Sequence, residues 1–399
     1  MSAPAATRAP LWRDIDLRLA TPLMAQTVFV HLAVTIARVA TSYKAVELDL
    51  SVVWVGAMTA AFSLLPALLA VPLGRFIDRG HDALAVWVGS VLLVLATAGY
   101  CLVPASKLSL LIATAVLGVG QLGCMAGHQI ISVRAAKTLR GRDAIFGYHM
   151  VAIAAGQGLA PFTIAVLAAG ARIPPTALLY GLAFGGSLAS LAVSLALRPA
   201  PETVGNKADG ASLRIVDLIG VRGLMAYVMA SVITITGLDV IVVYLPLLGV
   251  ERGIDASAIG LLMTLRAVSS MAARLAFVPL IDLLGRMPLT YATMLAPAAA
   301  FLLIAAPIPL GLMYPAVVVL GIGLGVSATL TLSGIVEVAP PEARATAVSL
   351  RLSGNRAGLV VIPFIAGVVA TSTGVGGVFV VVAAMLAAST GGVWAARRR

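Results

Sequence analysis

Residues 156–162 read Gly-Gln-Gly-Leu-Ala-Pro-Phe, and residues 358–364 read Gly-Leu-Val-Val-Ile-Pro-Phe. The glycine and the Pro-Phe pair of one stretch recur in the other at an offset of 202 positions. Further pairs follow nearly the same spacing, and they are Arg142 with Arg344, Gly56 with Gly260, and Asp78 with Asp282. A shared offset across helix starts, turns and mid-helix prolines predicts that the chain contains two copies of one structural unit.

The composition indicates that the chain is embedded in a lipid membrane. Hydrophobic residues make up 60% of the chain, charged residues make up 11%, and the mean hydropathy is +1.05. A soluble domain carries about 25% charged residues. Because a water-soluble chain of this size could not hide so much apolar surface, we predict an all-α membrane protein.

The apolar sequence divides into twelve spans of about 20 residues, the length that crosses about 30 Å of hydrocarbon. We predict them at 20–41, 52–73, 84–104, 109–131, 144–170, 175–197, 223–248, 258–280, 289–306, 311–333, 345–368 and 374–396. Six spans precede a Pro- and Gly-rich polar stretch, and six follow it. We therefore expect an N-terminal six-helix bundle over 1–197, a cytoplasmic linker over 198–222 and a C-terminal six-helix bundle over 223–399, related by an axis along the membrane normal.

The net charge of +11 is explained by membrane topology. The loops alternate in charge, and the side opposite the termini has only Lys44, Lys107, Arg172 and Arg252 as basic residues. By the positive-inside rule, both termini are expected in the cytoplasm of a bacterial cell, with the chain in the inner membrane. A nucleic-acid partner is not expected.

Enzymatic and metal chemistry find little support in the sequence. Cys101 and Cys124 both fall inside predicted spans, and the four histidines are scattered. The string Gly-Val-Gly-Gln-Leu-Gly at 118–123 matches a dinucleotide fingerprint, but it lies inside an apolar span and lacks the required preceding strand. We expect no enzyme activity, no cofactor and no metal.

The loop after the second span carries the most specific local motif. Residues 74–80 read Gly-Arg-Phe-Ile-Asp-Arg-Gly, and the matched loop at 282–286 reads Asp-Leu-Leu-Gly-Arg. Both are degenerate copies of the signature of the major facilitator superfamily, which the chain resembles from about residue 15 to 396. The resemblance implies a twelve-helix transporter that works by alternating access, as a monomer, on a small-molecule substrate.

These loops supply the predicted cytoplasmic gate. Asp78 is expected to face the positive N-terminal end of the eleventh span (345–368). Asp282 is expected to face the start of the fifth span (144–170), near Arg142. Gly74 is expected where the chain turns sharply. The predicted gate residues are Gly74, Asp78, Arg79, Asp282, Gly285, Arg286, Arg142 and Arg344. The alternative is that these charges only fix topology.

Ionisable residues inside the spans are the candidate functional groups, because a charge at the bilayer centre costs about 2.5–3.5 kcal/mol. The family resemblance implies that spans one, five, seven, eight and eleven line the pathway. Predicted substrate-binding residues are Arg38, Arg266, Arg356, Asn355, Gln157 and Gln121.

Asp239 is the predicted proton-coupling residue, and His31 is the second choice because histidine titrates near neutral pH. In the repeat, Asp239 is equivalent to Thr35, which lies one helical turn from Arg38. An Asp239–Arg38 pair is therefore expected. A carboxyl group between a dry cavity and a cation can bind a proton on one face and release it on the other. The alternative is a permanent salt bridge between the halves.

The predicted function is proton-coupled transport of a small organic molecule. The excess of intramembrane arginines over acids favours an anionic substrate, since the spans contain Arg38, Arg266, Arg274, Arg351 and Arg356 but only one clear acid, Asp239. The fifth span resembles the antiporter signature of the family at Gly156 to Pro161, which favours export slightly, although Thr114 stands where many drug–proton antiporters have arginine. Proton-symport uptake of an organic acid is the runner-up, and a non-transporting sensor or a lipid-moving protein is the alternative class.

Overall fold

The chain is almost entirely helical. A computed structural model describes residues 14–197, 218, 220–340 and 344–398. Twelve α-helices run through this described part of the chain. They are α1 Leu17–Glu47, α2 Val52–Asp78, α3 Asp82–Leu102, α4 Lys107–Ala135, α5 Leu139–Ala168, α6 Thr176–Ser194, α7 Leu224–Glu251, α8 Ala256–Leu275, α9 Phe277–Leu284, α10 Arg286–Ala305, α11 Leu310–Val338 and α12 Arg344–Arg398. The predicted linker, 198–222, lies mostly outside the described residues.

α12 contains two membrane crossings. Eleven stretches of the described chain are long and apolar enough to span a membrane, and the last covers the 51 residues Thr346–Ala396. A straight helix of that length would extend for about 76 Å, far more than the hydrocarbon thickness. Gly374 interrupts it with φ 71°, so α12 consists of a first arm (344–373) and a second arm (375–398). The predicted fold, twelve spans in two six-helix bundles, is confirmed.

The sequence repeat is also visible in the packing. A β-carbon at Gly118 of α4 would collide with the backbone carbonyl of Phe62 of α2. In the second half, a β-carbon at Gly321 of α11 would collide with the backbone carbonyl of Arg266 of α8. Gly118 and Gly321 thus allow two equivalent helix pairs to approach equally closely, which is how small residues stabilise helix packing in lipid.

Each half has an ion pair at the same place in the repeat, with the charges exchanged. Arg134 Nη1, near the end of α4, donates to Asp82 Oδ2 at the start of α3 (2.5 Å). Arg286 Nη1, at the start of α10, lies 3.0 Å from Glu337 Oε2 near the end of α11. The acid is therefore on the earlier helix in the N-terminal half and on the later helix in the C-terminal half.

The two halves meet at one face of the molecule. We call the face where α1 begins and α12 ends the terminal face, and the other the opposite face. Toward the opposite face, a β-carbon at Gly56 would lie 2.8 Å from the carbonyl oxygen of Pro363, which joins α2 to α12. The matched contact, Gly260 with the carbonyl oxygen of Pro161 at 2.6 Å, joins α8 to α5. These four residues are the repeat pairs themselves, crossed between halves.

Loops extend this closure at the opposite face. Ala256 N donates to Ala171 O (2.8 Å), and Gly170 N donates to Ser257 Oγ (3.0 Å). The largest apolar core draws residues from both halves. Toward the terminal face, the smaller apolar clusters each belong to one half, and two of them are Ile15, Ala20, Ala135 and Ile145, and Ala273, Leu289, Val326 and Leu330. The halves are thus held together chiefly at the opposite face.

One expectation about the turn after α2 is wrong. Gly74 was expected to form the sharp turn, but it lies inside α2, and no atom outside its own helix lies within 4 Å of a β-carbon placed there. The helix continues to Asp78, and Gly80 makes the turn with φ 91°. The matched loop turns at Gly285, with φ 76°.

Candidate functional site

The only ion pair between the halves among the described residues joins Arg38 of α1 to Asp239 of α7. Arg38 Nη1 donates to Asp239 Oδ1 (2.5 Å), and Arg38 Nη2 donates to Oδ2 (2.7 Å), so the contact is bidentate. The side chains are only 10% and 14% exposed. The guanidinium also lies over the Phe62 ring, 4.3 Å from its centroid. The contact that the repeat predicted is therefore present, and it ties α1 and α2 to α7.

A second basic group lies inside the C-terminal half, between α7, α11 and α12. Arg351 Nε donates to Ser231 Oγ (2.7 Å), and Ser231 Oγ donates to Asn355 Oδ1 (3.2 Å). Arg351 Nη2 also donates to Ala328 O (3.4 Å). Arg351 and Asn355 are buried, so this polar group is fixed by the fold.

Arg266 and Arg356 have no such partners. Arg266 is 8% exposed, and its Nε is buried without a hydrogen-bond acceptor in the described chain. Arg356 forms no hydrogen bond with a described residue, but it lies within electrostatic range of Asp239. Since Asp239 is already bound by Arg38, these two guanidinium groups have no acidic partner of their own among the described residues. An anion would satisfy them.

The N-terminal half contains a histidine cluster on three helices. Thr27 Oγ1 of α1 lies 3.3 Å from Nδ1 of His128 on α4 and 3.3 Å from Nδ1 of His149 on α5. The two rings meet edge to face, with centroids 5.5 Å apart. His31 is buried one turn further along α1, where its Nε2 has no hydrogen-bond partner among the described atoms. We call these four residues the histidine cluster.

The predicted glutamines occupy unequal positions. Gln121 is half-buried on α4, and Gln157 is exposed on α5. Neither forms a hydrogen bond with a described residue. Gln26 of α1 is instead the buried hub, since its Nε2 donates to Ser90 Oγ and Ser190 Oγ, both at 3.1 Å. It therefore holds α1, α3 and α6 together.

The gate residues lie at the terminal face. Arg79 and Asp282 are exposed and form no ion pair with any described side chain. Arg286 bonds within its own half, to Glu337 and, through Nη2, to Ser333 Oγ (2.8 Å). The side chains of Asp78, Arg142 and Arg344 lie outside the described parts, so the gate role of this loop pair stays a prediction.

A cleft opens between the halves where α5 and α8 separate. It has a volume of about 430 Å³ and is lined by apolar residues, among them Val151, Leu159, Phe162, Val268 and Met271. The lining residues belong to both halves, so the cleft would change shape if the halves tilt.

Sequence reasoning missed the partners more than the charges. Ser231, Thr27, His128 and His149 were not predicted to be site residues, although His149 and Arg351 are matched by the 202-residue offset. Comparing the two repeats position by position would have paired Thr27 with Ser231 and His149 with Arg351.

Two pseudo-symmetric six-helix bundles, held at one face and enclosing buried ionisable groups, define a membrane transporter. The chain belongs to the Major Facilitator Superfamily, because the family model matches residues 23–251 and again 227–399. Membership implies a small-molecule substrate and a chain embedded in the membrane. No curated protein sequence matches the chain.

Solved transporter structures share the fold. A bacterial homologue of the human lysosomal transporter Spinster, inward-facing and unoccupied, superimposes with a TM-score of 0.76 at 15% identity, over 95% of this chain and 96% of that one. Its inward-facing occupied form gives 0.71 at 16% identity, over 94% and 96%. The nucleoside transporter NupG gives 0.71 at 13% identity, over 96% and 99%. At these identities the likeness establishes the fold alone.

Proposed function

We propose that this protein is a proton-coupled secondary transporter that moves a small organic anion across the bacterial inner membrane by alternating access. The observation that carries the proposal is the excess of buried positive charge. Arg38 neutralises Asp239, while Arg266 and Arg356 keep no acidic partner of their own in the described chain.

Electrostatics supports an anion over a cation. An unpaired guanidinium in a dry site is costly, and removing that cost is worth more than an ion pair at the surface. A carboxylate between the two halves would accept hydrogen bonds from the free guanidinium groups. A cationic substrate would add a further positive charge to the same region.

The arrangement of the halves supports alternating access. The described contacts across the seam lie mainly toward the opposite face, where Gly56 meets Pro363 and Gly260 meets Pro161. By the positive-inside rule, the distribution of basic loops favours a cytoplasmic location for the terminal face. We therefore assign this conformation to the inward-facing state, in which two Spinster-homologue structures were also solved.

Asp239 is the proposed proton-coupled latch. Its ion pair with Arg38 joins the halves on the side that must open outward. A proton on the carboxyl group would remove the negative charge, weaken the contact and release the opposite face. The halves, 1–197 and 223–399, would then tilt about their seam while the linker 198–222 keeps them together in a monomer.

The direction of transport has two candidates. The Gly156–Pro161 segment of α5 resembles the antiporter signature and favours export slightly. Proton-driven uptake of an organic acid uses the same groups in the reverse sense. Flux in proteoliposomes of defined orientation, with the proton gradient imposed in either direction, decides between them.

The substrate class is tested by ligand-dependent thermal unfolding of the purified protein. The panel contains benzoate, succinate and citrate, with rhodamine and ethidium as cations. We expect at least one carboxylate to raise the Tm of the wild type and to lose this effect in Arg266→Gln. The matched control is Arg274→Gln on the same helix, an exposed arginine whose Nε already donates to Gly325 O (3.4 Å).

Stabilisation by the cationic dyes alone would refute an anionic substrate. Loss of the carboxylate effect in both arginine variants would refute the specific role of Arg266. If no gradient drives any flux in proteoliposomes, the proposal of a transporter would give way to that of a non-transporting sensor.

A further inference from the structure

The two halves contain the same hydrogen bond made by different bases. In the C-terminal half, Arg351 of α12 donates to Ser231 of α7. In the N-terminal half, Nδ1 of His149 on α5 lies within hydrogen-bond distance of Thr27 Oγ1 on α1. Thr27 and Ser231 are 204 positions apart, and His149 and Arg351 are 202 apart, the offsets of the repeat. One half therefore has a permanent cation where the other has a titratable ring.

The hydrogen-bond pattern fixes the form of the rings. Thr27 Oγ1 donates its single proton to Leu23 O (2.8 Å), so it accepts from its other neighbours. His128 and His149 must then carry their protons on Nδ1, which leaves each Nε2 as an acceptor. Nε2 of His128 is buried without a partner, as is Nε2 of His31. The histidine cluster thus contains unused sites for protons.

The cluster and the C-terminal polar group both lie toward the terminal face. Thr27 and His149 each lie ten residues from the start of their helices, about 15 Å along the axis. Ser231 and Arg351 each lie seven residues from theirs, about 10 Å along. Both groups therefore occupy the half of the membrane nearer the terminal face.

Among the described side chains of the N-terminal half, no acid or permanent cation is bonded to the cluster. The charged or titratable groups on its own and neighbouring helices are Arg18, Arg38, Tyr43, Lys44 and Glu47 on α1; Arg75 and Asp78 at the end of α2; Asp82, which is bonded to Arg134 of α4, Tyr100 and Cys101 on α3; Lys107 and Cys124 on α4; Arg140, Arg142, Asp143 and Tyr148 on α5; Tyr180 on α6; Tyr227, Asp239, which is bonded to Arg38, Tyr244 and Glu251 on α7; and Arg266 and Arg274 on α8. The electrostatic neighbours of the His128 ring are the rings of His149 and His31. A proton bound here would therefore be a new positive charge, not the neutralisation of an existing negative one.

We propose that the histidine cluster is a proton-binding site, with His149 as the principal acceptor, and that its protonation strengthens binding of the anion between the halves. This inference rests on the proposed function. Protonated His149 gives the N-terminal half the charge that Arg351 gives the C-terminal half. The anion then meets positive charge on both sides of the seam, so the proton and the anion bind together.

The sign of the coupling follows from linkage. Falling pH charges the cluster and tightens anion binding, and bound anion in turn raises the affinity of the cluster for protons. One linked proton changes the anion affinity by at most about ten-fold per pH unit. Cotransport requires that the proton and the anion bind to the same conformation of the protein. The cluster therefore favours proton-driven uptake over the export that the antiporter-like segment of α5 suggests.

The test is calorimetric titration of the full-length protein with benzoate, succinate and citrate from pH 5.5 to 8.5. We expect the wild-type affinity to rise as the pH falls, with proton uptake from a weak buffer on binding. His149→Gln should remove both effects. His149→Arg copies the C-terminal half, and it should bind the anion tightly at every pH without proton uptake. His81→Gln is the control, because His81 is an exposed histidine stacked on Phe76, and it should behave as wild type.

Two failures are distinguishable. If no carboxylate binds the wild type at any pH, the organic-anion function is wrong and this inference falls with it. If carboxylates bind but their affinity does not vary with pH, or if His149→Gln keeps the full pH response, the inference alone is wrong. Should His149→Gln not fold, a pH-dependent affinity in His149→Arg would equally overturn it.

Discussion

At the residue scale, buried charges decide what the protein can do. The Arg38–Asp239 contact could be predicted because the repeat aligns Asp239 with Thr35, one turn from Arg38. The histidine cluster could not, since three helices each contribute a ring and the sequence does not give their rotation about their axes. Likewise, Arg351 was recognisable as an intramembrane arginine, but its partner Ser231 was one hydroxyl among many.

Asp239→Asn tests the latch at this scale. The substitution keeps the shape of the side chain and removes its charge, leaving Arg38 buried beside a neutral amide. We expect loss of pH-driven flux in proteoliposomes and a destabilisation of about 3 kcal/mol, typical of a buried pair that loses one partner. Asp282→Asn, which removes an exposed carboxylate, should leave stability unchanged. Full pH-driven flux in Asp239→Asn would show that proton coupling does not pass through this carboxylate.

At the element scale, close helix contacts hold the halves together. The repeat predicted that Gly56 and Gly260 are equivalent, but it could not show that each packs against a proline of the other half. Such contacts depend on how the two bundles are placed, a property of the assembled protein. Gly74 illustrates the converse, since its motif suggested a turn and its position proved to be helical.

Gly260→Val should open the contact between α5 and α8. The added side chain would collide with Pro161 O, so the halves must separate at the opposite face. A cysteine at Ser257, in a Cys101→Ser/Cys124→Ala background, should then react several-fold faster with a membrane-impermeant maleimide. Gly74→Ala is the control, because a β-carbon has open space there. Unchanged labelling in Gly260→Val would mean that this contact does not hold the face closed.

The exchanged ion pairs predict that the N-terminal pair tolerates reversal. Asp82→Ala should lower the free energy of unfolding by about 2 kcal/mol, since a buried charged hydrogen bond is lost. The double variant Asp82→Arg/Arg134→Glu copies the order of Arg286 and Glu337 and should recover part of that loss. Thermal unfolding of Asp82→Arg, of Arg134→Glu and of the double variant gives the coupling energy of the pair. A double variant less stable than the sum of the singles would contradict the equivalence.

At the scale of the whole molecule, the sequence predicted the class of membrane protein but not the conformational state. Hydropathy and the repeat predicted twelve spans in two bundles, because lipid allows few other arrangements. Which face is closed depends on small differences between alternative contacts of the same halves, and no periodicity encodes them.

A disulfide across the opposite face should trap the protein. Ala171→Cys and Ala256→Cys, in the cysteine-free background, replace two residues whose backbones are hydrogen-bonded across the seam at 2.8 Å. Oxidation should abolish flux while thermal-shift binding of the stabilising carboxylate persists, and a reductant should restore flux. Each single cysteine variant serves as control. Flux that continues in the fully cross-linked protein would show that this loop contact need not open during transport.

The bend at Gly374 decides where the chain finishes. Its φ of 71° and the Glu251 carboxylate, 2.9 Å from where a β-carbon would lie, leave room for no other residue without strain. Were the backbone straight at this point, the 24 residues of the second arm (375–398) would project about 36 Å beyond the bundle, as an apolar helix surrounded by water. The end of α12 would then lie across the bilayer from the start of α1. The bend at Gly374 thereby makes the number of membrane crossings even.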